Sequence, residues 1–213
     1  HQNIFSYFEG CEVPQAGWDV IYRNVDGIQM PDGDIVHTLY VEMKNKHNTM
    51  NSASSAKTYI KMQGQILEDD DCACLLVEAI AKKSQNIKWS TKVDGKNVQH
   101  RLIRRVSMDQ FYAILTGEED AFYKMCMALP AVINEVVNEE GSVKVPHDTV
   151  IDELRKVASL YSDEDNELSM AMAVYMLGFN TYTGFGDKIR GELEENNDGM
   201  LKRIYEYVKK FSI

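Results

Sequence analysis

The run Cys72-Ala73-Cys74-Leu75-Leu76-Val77-Glu78-Ala79-Ile80-Ala81 constrains this chain more than any other segment, because it is apolar throughout except at Glu78. Such a stretch does not alternate between a wet and a dry face, so it reads as a strand buried at the centre of a sheet. The chain has 213 residues, 44% of them hydrophobic. That is enough for one large domain, or for a core with a sizeable appendage. No apolar stretch approaches the ~20 residues needed to span a bilayer. The opening His1-Gln2-Asn3 is polar and has no basic region ahead of an apolar one, so no signal peptide is expected. The missing initiator Met suggests a chain that lacks some N-terminal residues. Cys11, Cys72, Cys74 and Cys126 do not form the paired C-x2-4-C spacing of a zinc site. They read as reduced core cysteines of a cytoplasmic protein without membrane contact.

Around that central strand the periodicity predicts an ordered set of elements. Residues 2–9 resemble the end of an amphipathic helix bearing Ile4, Phe5 and Phe8. Strands are predicted at Trp18–Tyr22 and Leu39–Lys44, joined by a long irregular connection, 24–38, rich in turn formers such as Asp26-Gly27 and Pro31-Asp32-Gly33. A helix at 56–67 leads into the central strand. Residues 82–96 read as a basic loop closed by Asp94-Gly95, and 98–106 as a further strand. Ser107 and Gln110 resemble a capping box for a helix carrying Phe111, Ile114 and Leu115. Later helices are expected near 119–138, 147–161, 165–179 and 198–211. The order predicts an α/β fold, a mixed sheet flanked by helices, with a helical C-terminal half. The boundaries expected are 1–117 for the core and 118–213 for a helical subdomain, unless the two are continuous.

The formal net charge is −10, which taken alone argues against a nucleic-acid partner. The distribution argues otherwise. Lys82, Lys83, Lys88, Lys92, Lys96, Arg101, Arg104 and Arg105 are opposed within their segment only by Asp94. A basic segment inside an acidic chain suggests a surface built for an anion. Lys82, Lys83, Lys88, Arg101, Arg104 and Arg105 are the candidates for phosphate or base contacts. A solvated basic edge is the competing explanation. Trp89 either stacks on bases or anchors the packing of the loop. Lys57, Lys61 and Gln63 on the first long helix either contact a nucleic-acid backbone or form a solvated face.

Three residues carry candidate chemistry. Asp19 lies in the first predicted strand, and Glu42 and Lys44 in the second. Residues i and i+2 of a strand share a face, about 6.6 Å apart. An antiparallel partner can set Asp19 opposite Glu42. Two converging carboxylates repel unless a cation lies between them. Oxygen ligands completed by water suit Mg2+, which activates water and screens a phosphate. A nearby lysine offsets charge that grows on the phosphate. An isolated D…E-x-K is also compatible with a cross-strand salt bridge and no function. The run Asn45-Lys46-His47-Asn48-Thr49 adds hydrogen-bonding groups beside the site, although Asn48 and Thr49 are also good helix caps.

Gly17-Trp18-Asp19, followed by Val41-Glu42-Met43-Lys44-Asn45-Lys46-His47-Asn48-Thr49, resembles type II restriction endonucleases of the PD-(D/E)-x-K superfamily. It is most similar to the SinI-like group, which cuts GGNCC and GGWCC sites. The resemblance runs more weakly from His1 to Ala81 and to the helix at Phe111. It implies a restriction-endonuclease-like core, with Asp19 and Glu42 binding Mg2+ and Lys44 as the catalytic lysine. It further implies double-stranded DNA as substrate, a homodimer on a two-fold site, and a cognate DNA methyltransferase as functional partner. Pro31-Asp32 is an alternative source of the motif's first acid; Asp19 is preferred because Asp32 falls in a turn. The acidic residue that the superfamily often carries on its first helix would lie before His1. A repair or junction nuclease with the same site, and a catalytically silent DNA-binding domain, remain the competing readings.

Overall fold

The computed structural model describes residues 2–46, 50–129, 182 and 184–195. The described strands are β1 (Cys11–Glu12), β2 (Val20–Gln29), β3 (Ile35–Lys46), β4 (Cys72–Ile80), β5 (Asn86–Val93) and β6 (Lys96–Ser107). They form one mixed sheet in the order β1-β2-β3-β4-β6-β5. β4 pairs in parallel with both β3 and β6, and every other pairing is antiparallel. The apolar run is therefore the inner strand its sequence predicts, buried from Cys72 through Glu78. Helix α1 (Ser52–Glu68) makes the crossover from β3 to β4, as parallel neighbours require. Asn51 caps it, its side chain accepting the Ser54 amide at 2.8 Å. Tyr59 and Met62, one helical turn apart, close over Cys74, Leu76, Trp89 and Ile103. Each such side chain contributes ~1.5–3 kcal/mol of burial. Helix α2 (Met108–Thr116) ends at Gly117 in the left-handed conformation. Its Phe111 and Tyr112 pack with Phe5 and Phe8.

Several local readings are corrected. The 24–38 connection is mostly strand, because β2 runs to Gln29 and β3 begins at Ile35. Asp26-Gly27 is not a turn. It lies at a register irregularity between Arg23 and Ile28, where Gly27 takes φ +84°. Residues 86–93 of the basic loop form β5. Asp94 and Gly95, both with positive φ, close its hairpin with β6. Trp89 is a buried anchor, edge-on to Tyr59 at 5.5 Å, and not a base-stacking ring. The capping box does not form: Ser107 makes no side-chain cap bond and instead accepts the Gln85 amide at 2.8 Å, while Gln110 donates to Ser84. Gln2–Tyr7 is a 3-10 helix.

The chain divides into two compact units, His1–Glu119 and Asp120–Ile213. In the second, residues 121–129 and Asp187–Glu195 are helical, and Phe122, Tyr182 and Phe185 form an aromatic group. The helices expected at 147–161, 165–179 and 198–211 lie outside the described residues. Among the described residues no helix is long and apolar enough to cross a membrane.

Two predictions arise from the packing. The Tyr59 hydroxyl is buried without a hydrogen-bond partner among the described residues. An unsatisfied buried hydroxyl costs stability, so Tyr59→Phe should gain about 1 kcal/mol in urea unfolding; a comparable loss would reveal a partner for the hydroxyl. At the start of β3, His37 donates to Asp71 from its amide at 3.1 Å, with its ring Nδ1 2.8 Å from the same carboxylate. These bonds, opposed by slight desolvation, hold the Asp71 carboxyl below its ordinary range. A carboxyl depressed on folding adds stability above its unfolded pKa of about 3.9, and that stability is lost as pH falls through the lower folded value. His37→Ala should return the Asp71 titration, followed by NMR, toward the unfolded value and flatten the acid limb of stability.

Candidate active site

The first turn of the site comes from residues just ahead of β2. Gly17, with φ +95°, turns the chain there. Asp19 lies just ahead of the first paired residue of β2, next to the Val20↔Val41 pair, and Val41 adjoins Glu42. Its amide donates to the Val41 carbonyl at 3.0 Å. Its carboxylate accepts the Met43 amide at 2.7 Å, the amide that lies between Glu42 and Lys44. Asp19 is thus not within a strand, as the sequence suggests, but is pinned to the main chain of one.

Glu42 is the electrostatic centre. Its side chain is 19% exposed, and each carboxylate oxygen is taken by a different ammonium: Oε1 by Lys44 at 3.0 Å, Oε2 by Lys61 at 2.9 Å. Burial alone would raise the Glu42 pKa, but the hydrogen bonds from Lys61 and Lys44 outweigh it and hold the carboxyl below its ordinary range. Lys61 also donates to the Gly17 carbonyl and lies 3.9 Å over the Trp18 ring. Trp18 is held in turn by Gln65 at 3.2 Å and by the Tyr40 ring. The parallel register places Lys44 beside Glu78, and Leu76 beside both Glu42 and Arg105. Glu78, 2% exposed, accepts from Arg105 Nε at 3.0 Å.

Asp19 and Glu42 are the two carboxylates of this cluster. The second Asp19 oxygen has no hydrogen-bond partner among the described residues. No group of three or more His, Cys, Asp or Glu gathers among the described residues. An incomplete, all-oxygen donor set does not suit zinc. It fits an ion that keeps several waters, as Mg2+ does.

The basic residues are divided by the sheet. Arg105 shares the face of Glu42, whereas Arg104 and its cross-strand partner Lys88 point to the other. Arg104 is 3% exposed and donates to Asn86 at 2.6 Å and to Asp32. Lys88 lies 3.3 Å from Asp32, and Arg101 2.7 Å from Asp34. The turn between β2 and β3 thereby neutralises much of the basic segment. Slight desolvation of Asp32 is outweighed by Arg104 and Lys88, and its carboxyl is held low. Lys82, Lys83 and Asn45 are exposed. The Lys46 backbone ends β3, and His47, Asn48 and Thr49 lie outside the described residues. Lys61 was read from sequence only as a surface or backbone-contacting residue. Its four-residue spacing to Gln65, which puts both on one helix face, is the signal that points to the site.

The sheet order and the crossover helix define an α/β protein, a six-stranded mixed sheet flanked by helices, consistent with a restriction-endonuclease-like core. The chain belongs to the Eco47II restriction endonuclease family, whose model matches residues 1–138. It is 29% identical over 152 residues to the type II restriction enzyme Sau96I of Staphylococcus aureus, an alignment covering 68% of this chain and 54% of that protein. The chain thus spans about half the length of this curated relative. No solved structure matches the chain.

Proposed function

We propose that this chain is the catalytic part of a type II restriction endonuclease that hydrolyses phosphodiester bonds in double-stranded DNA with Mg2+. The observation that supports this reading most is the Asp19 carboxylate on the Met43 amide, directly after Glu42, with the Lys44 ammonium on the Glu42 carboxylate, in a member of a restriction endonuclease family. A divalent ion at the two carboxylates supplies a Lewis acid for the scissile phosphate and lowers the pKa of water. Asp19 is fixed by the Met43 amide, and Glu42 by Lys61, so neither needs to reorganise during the reaction. Lys44 orients the attacking water and offsets charge that develops on the phosphate.

The resemblance of Lys44-Asn45-Lys46-His47-Asn48-Thr49 supports GGNCC or GGWCC as the target. Asn45, Lys46, His47, Asn48 and Thr49 follow Lys44 in the chain and are assigned to DNA contact, as are the exposed Lys82 and Lys83. Arg101 and Arg105 join that surface only by exchanging their carboxylate partners for phosphate, and Lys88, on the other face of the sheet, meets DNA only if the duplex also passes that face. Arg104 acts through the turn it holds. The remaining parts of the proposal are a cytoplasmic homodimer on a two-fold target and a cognate methyltransferase that protects the host site.

Plasmid incubated with Mg2+ should give a discrete fragment ladder whose sequenced ends share one short site. Cutting confined to branched or damaged DNA would replace this reading with the repair one. Binding without cleavage under any divalent ion would replace it with a silent module.

A further inference from the structure

We infer that Lys61 is a positioning residue that sets the separation of the Asp19 and Glu42 carboxylates; the inference rests on the metal site proposed above. Lys61 Nζ donates both to Glu42 Oε2 and to the carbonyl of Gly17, two residues before Asp19. It therefore ties the segment that carries one acid to the side chain of the other. The Asp19 amide and carboxylate are tied to the β3 main chain at Val41 and Met43, and Lys61 adds the tie to the Glu42 side chain itself.

The two lysines differ in how firmly they are held. Among the described residues the Lys44 ammonium has one hydrogen bond, to Glu42 Oε1. Lys61 is fixed three ways: by Glu42, by Gly17 and by the Trp18 face. Gln65, one turn further along α1, holds the Trp18 indole. Lys44 is thus free to turn toward a phosphate while Lys61 keeps Glu42 in place. Charge supports the same division. Two carboxylates that converge without compensation repel, and two ammonium groups balance them before a divalent ion arrives.

Two other roles for Lys61 make opposite predictions. A phosphate contact would contribute to DNA affinity. A cation that occupies the metal's place would weaken metal binding, so its removal would tighten it. Loss of positive charge alone also tightens metal binding, and weaker binding in a neutral variant therefore reports lost position.

The test uses the full chain with Lys61→Met and Lys61→Arg. Mn2+ binding is read by electron paramagnetic resonance without DNA, DNA affinity without metal, and kcat with Mg2+. Lys61→Met should bind Mn2+ about 10–100-fold more weakly, as loss of a residue that orients a ligand does. Its kcat should fall on the order of 100-fold through misplacement of the site, while metal-free DNA affinity and melting temperature hold near wild type. Lys61→Arg, which keeps the charge and donors, should recover part of both losses. The Lys61 side chain is 36% exposed, and Lys61→Gln replaces the Met variant if that one fails to fold. Unchanged or tighter Mn2+ binding, or a loss of DNA affinity that accounts for the loss of cleavage, would overturn the assignment. Wild type that binds no Mn2+ would overturn the metal-site reading itself, and this inference with it.

Discussion

Lys44→Ala should retain metal-free DNA affinity and lose cleavage by on the order of 10²–10³-fold, the scale for removing one group aimed at developing charge. The fold should survive the change, because the Lys44 side chain is partly exposed and its ammonium has one described hydrogen bond, to Glu42 Oε1. Glu42 keeps Lys61, so the acid remains placed and charged. The loss should fall on kcat and leave affinity alone, which separates a group acting in the transition state from one acting in binding. Lys44→Arg should recover little, since a planar fork does not reproduce a compact ammonium. Single-turnover cleavage of a labelled duplex, alongside a binding titration, measures both quantities. A Lys44→Ala variant that cuts like wild type would remove Lys44 from the chemistry.

The second large effect is on stability. Arg105→Ala should cost about 2 kcal/mol in urea unfolding, because it removes charge-assisted hydrogen bonds made to a buried carboxylate. Glu78 is buried on β4, and Arg105 reaches it from β6 through both Nε and a terminal nitrogen. Replacing both partners, Glu78→Gln with Arg105→Met, should recover most of that cost. The contrast matters for the DNA surface. A drop in DNA binding by Arg105→Ala would mix folding with contact, whereas Lys83→Ala, at an exposed position, should lower affinity without changing stability. It should also reduce the salt slope of binding by about 0.9 if Lys83 meets one phosphate.

How far the sequence could be read follows from the range of each interaction. The Cys72–Ile80 strand was legible because burial on both faces writes itself as an unbroken apolar run. The turn at Asp94-Gly95 was legible because it demands positive φ at both residues, although the hairpin was not, since the strand before the turn was hidden by its lysines. That Asp19 lies near Glu42 was legible from the antiparallel hairpin, but its place ahead of the strand was not, because it depends on the Met43 amide that its carboxylate holds. Asp26-Gly27 misled because the same dipeptide serves a turn or a strand irregularity, and only cross-strand register tells them apart. The neutralisation of Arg104 by Asp32 spans 72 residues, so the charge count along the segment could not reveal it. Lys61 stayed hidden for a related reason. Its bond to Glu42 depends on how α1 is rotated about its axis as it crosses the sheet, which the apolar spacing of Tyr59 and Met62 sets only indirectly.

The central claim is that Asp19 and Glu42 share one divalent ion. Crystals soaked in Mn2+ and measured at the manganese edge test it most directly. A single anomalous peak within bonding distance of both carboxylates is the result predicted. A peak bound to only one of them, or manganese found only elsewhere on the molecule, would contradict it.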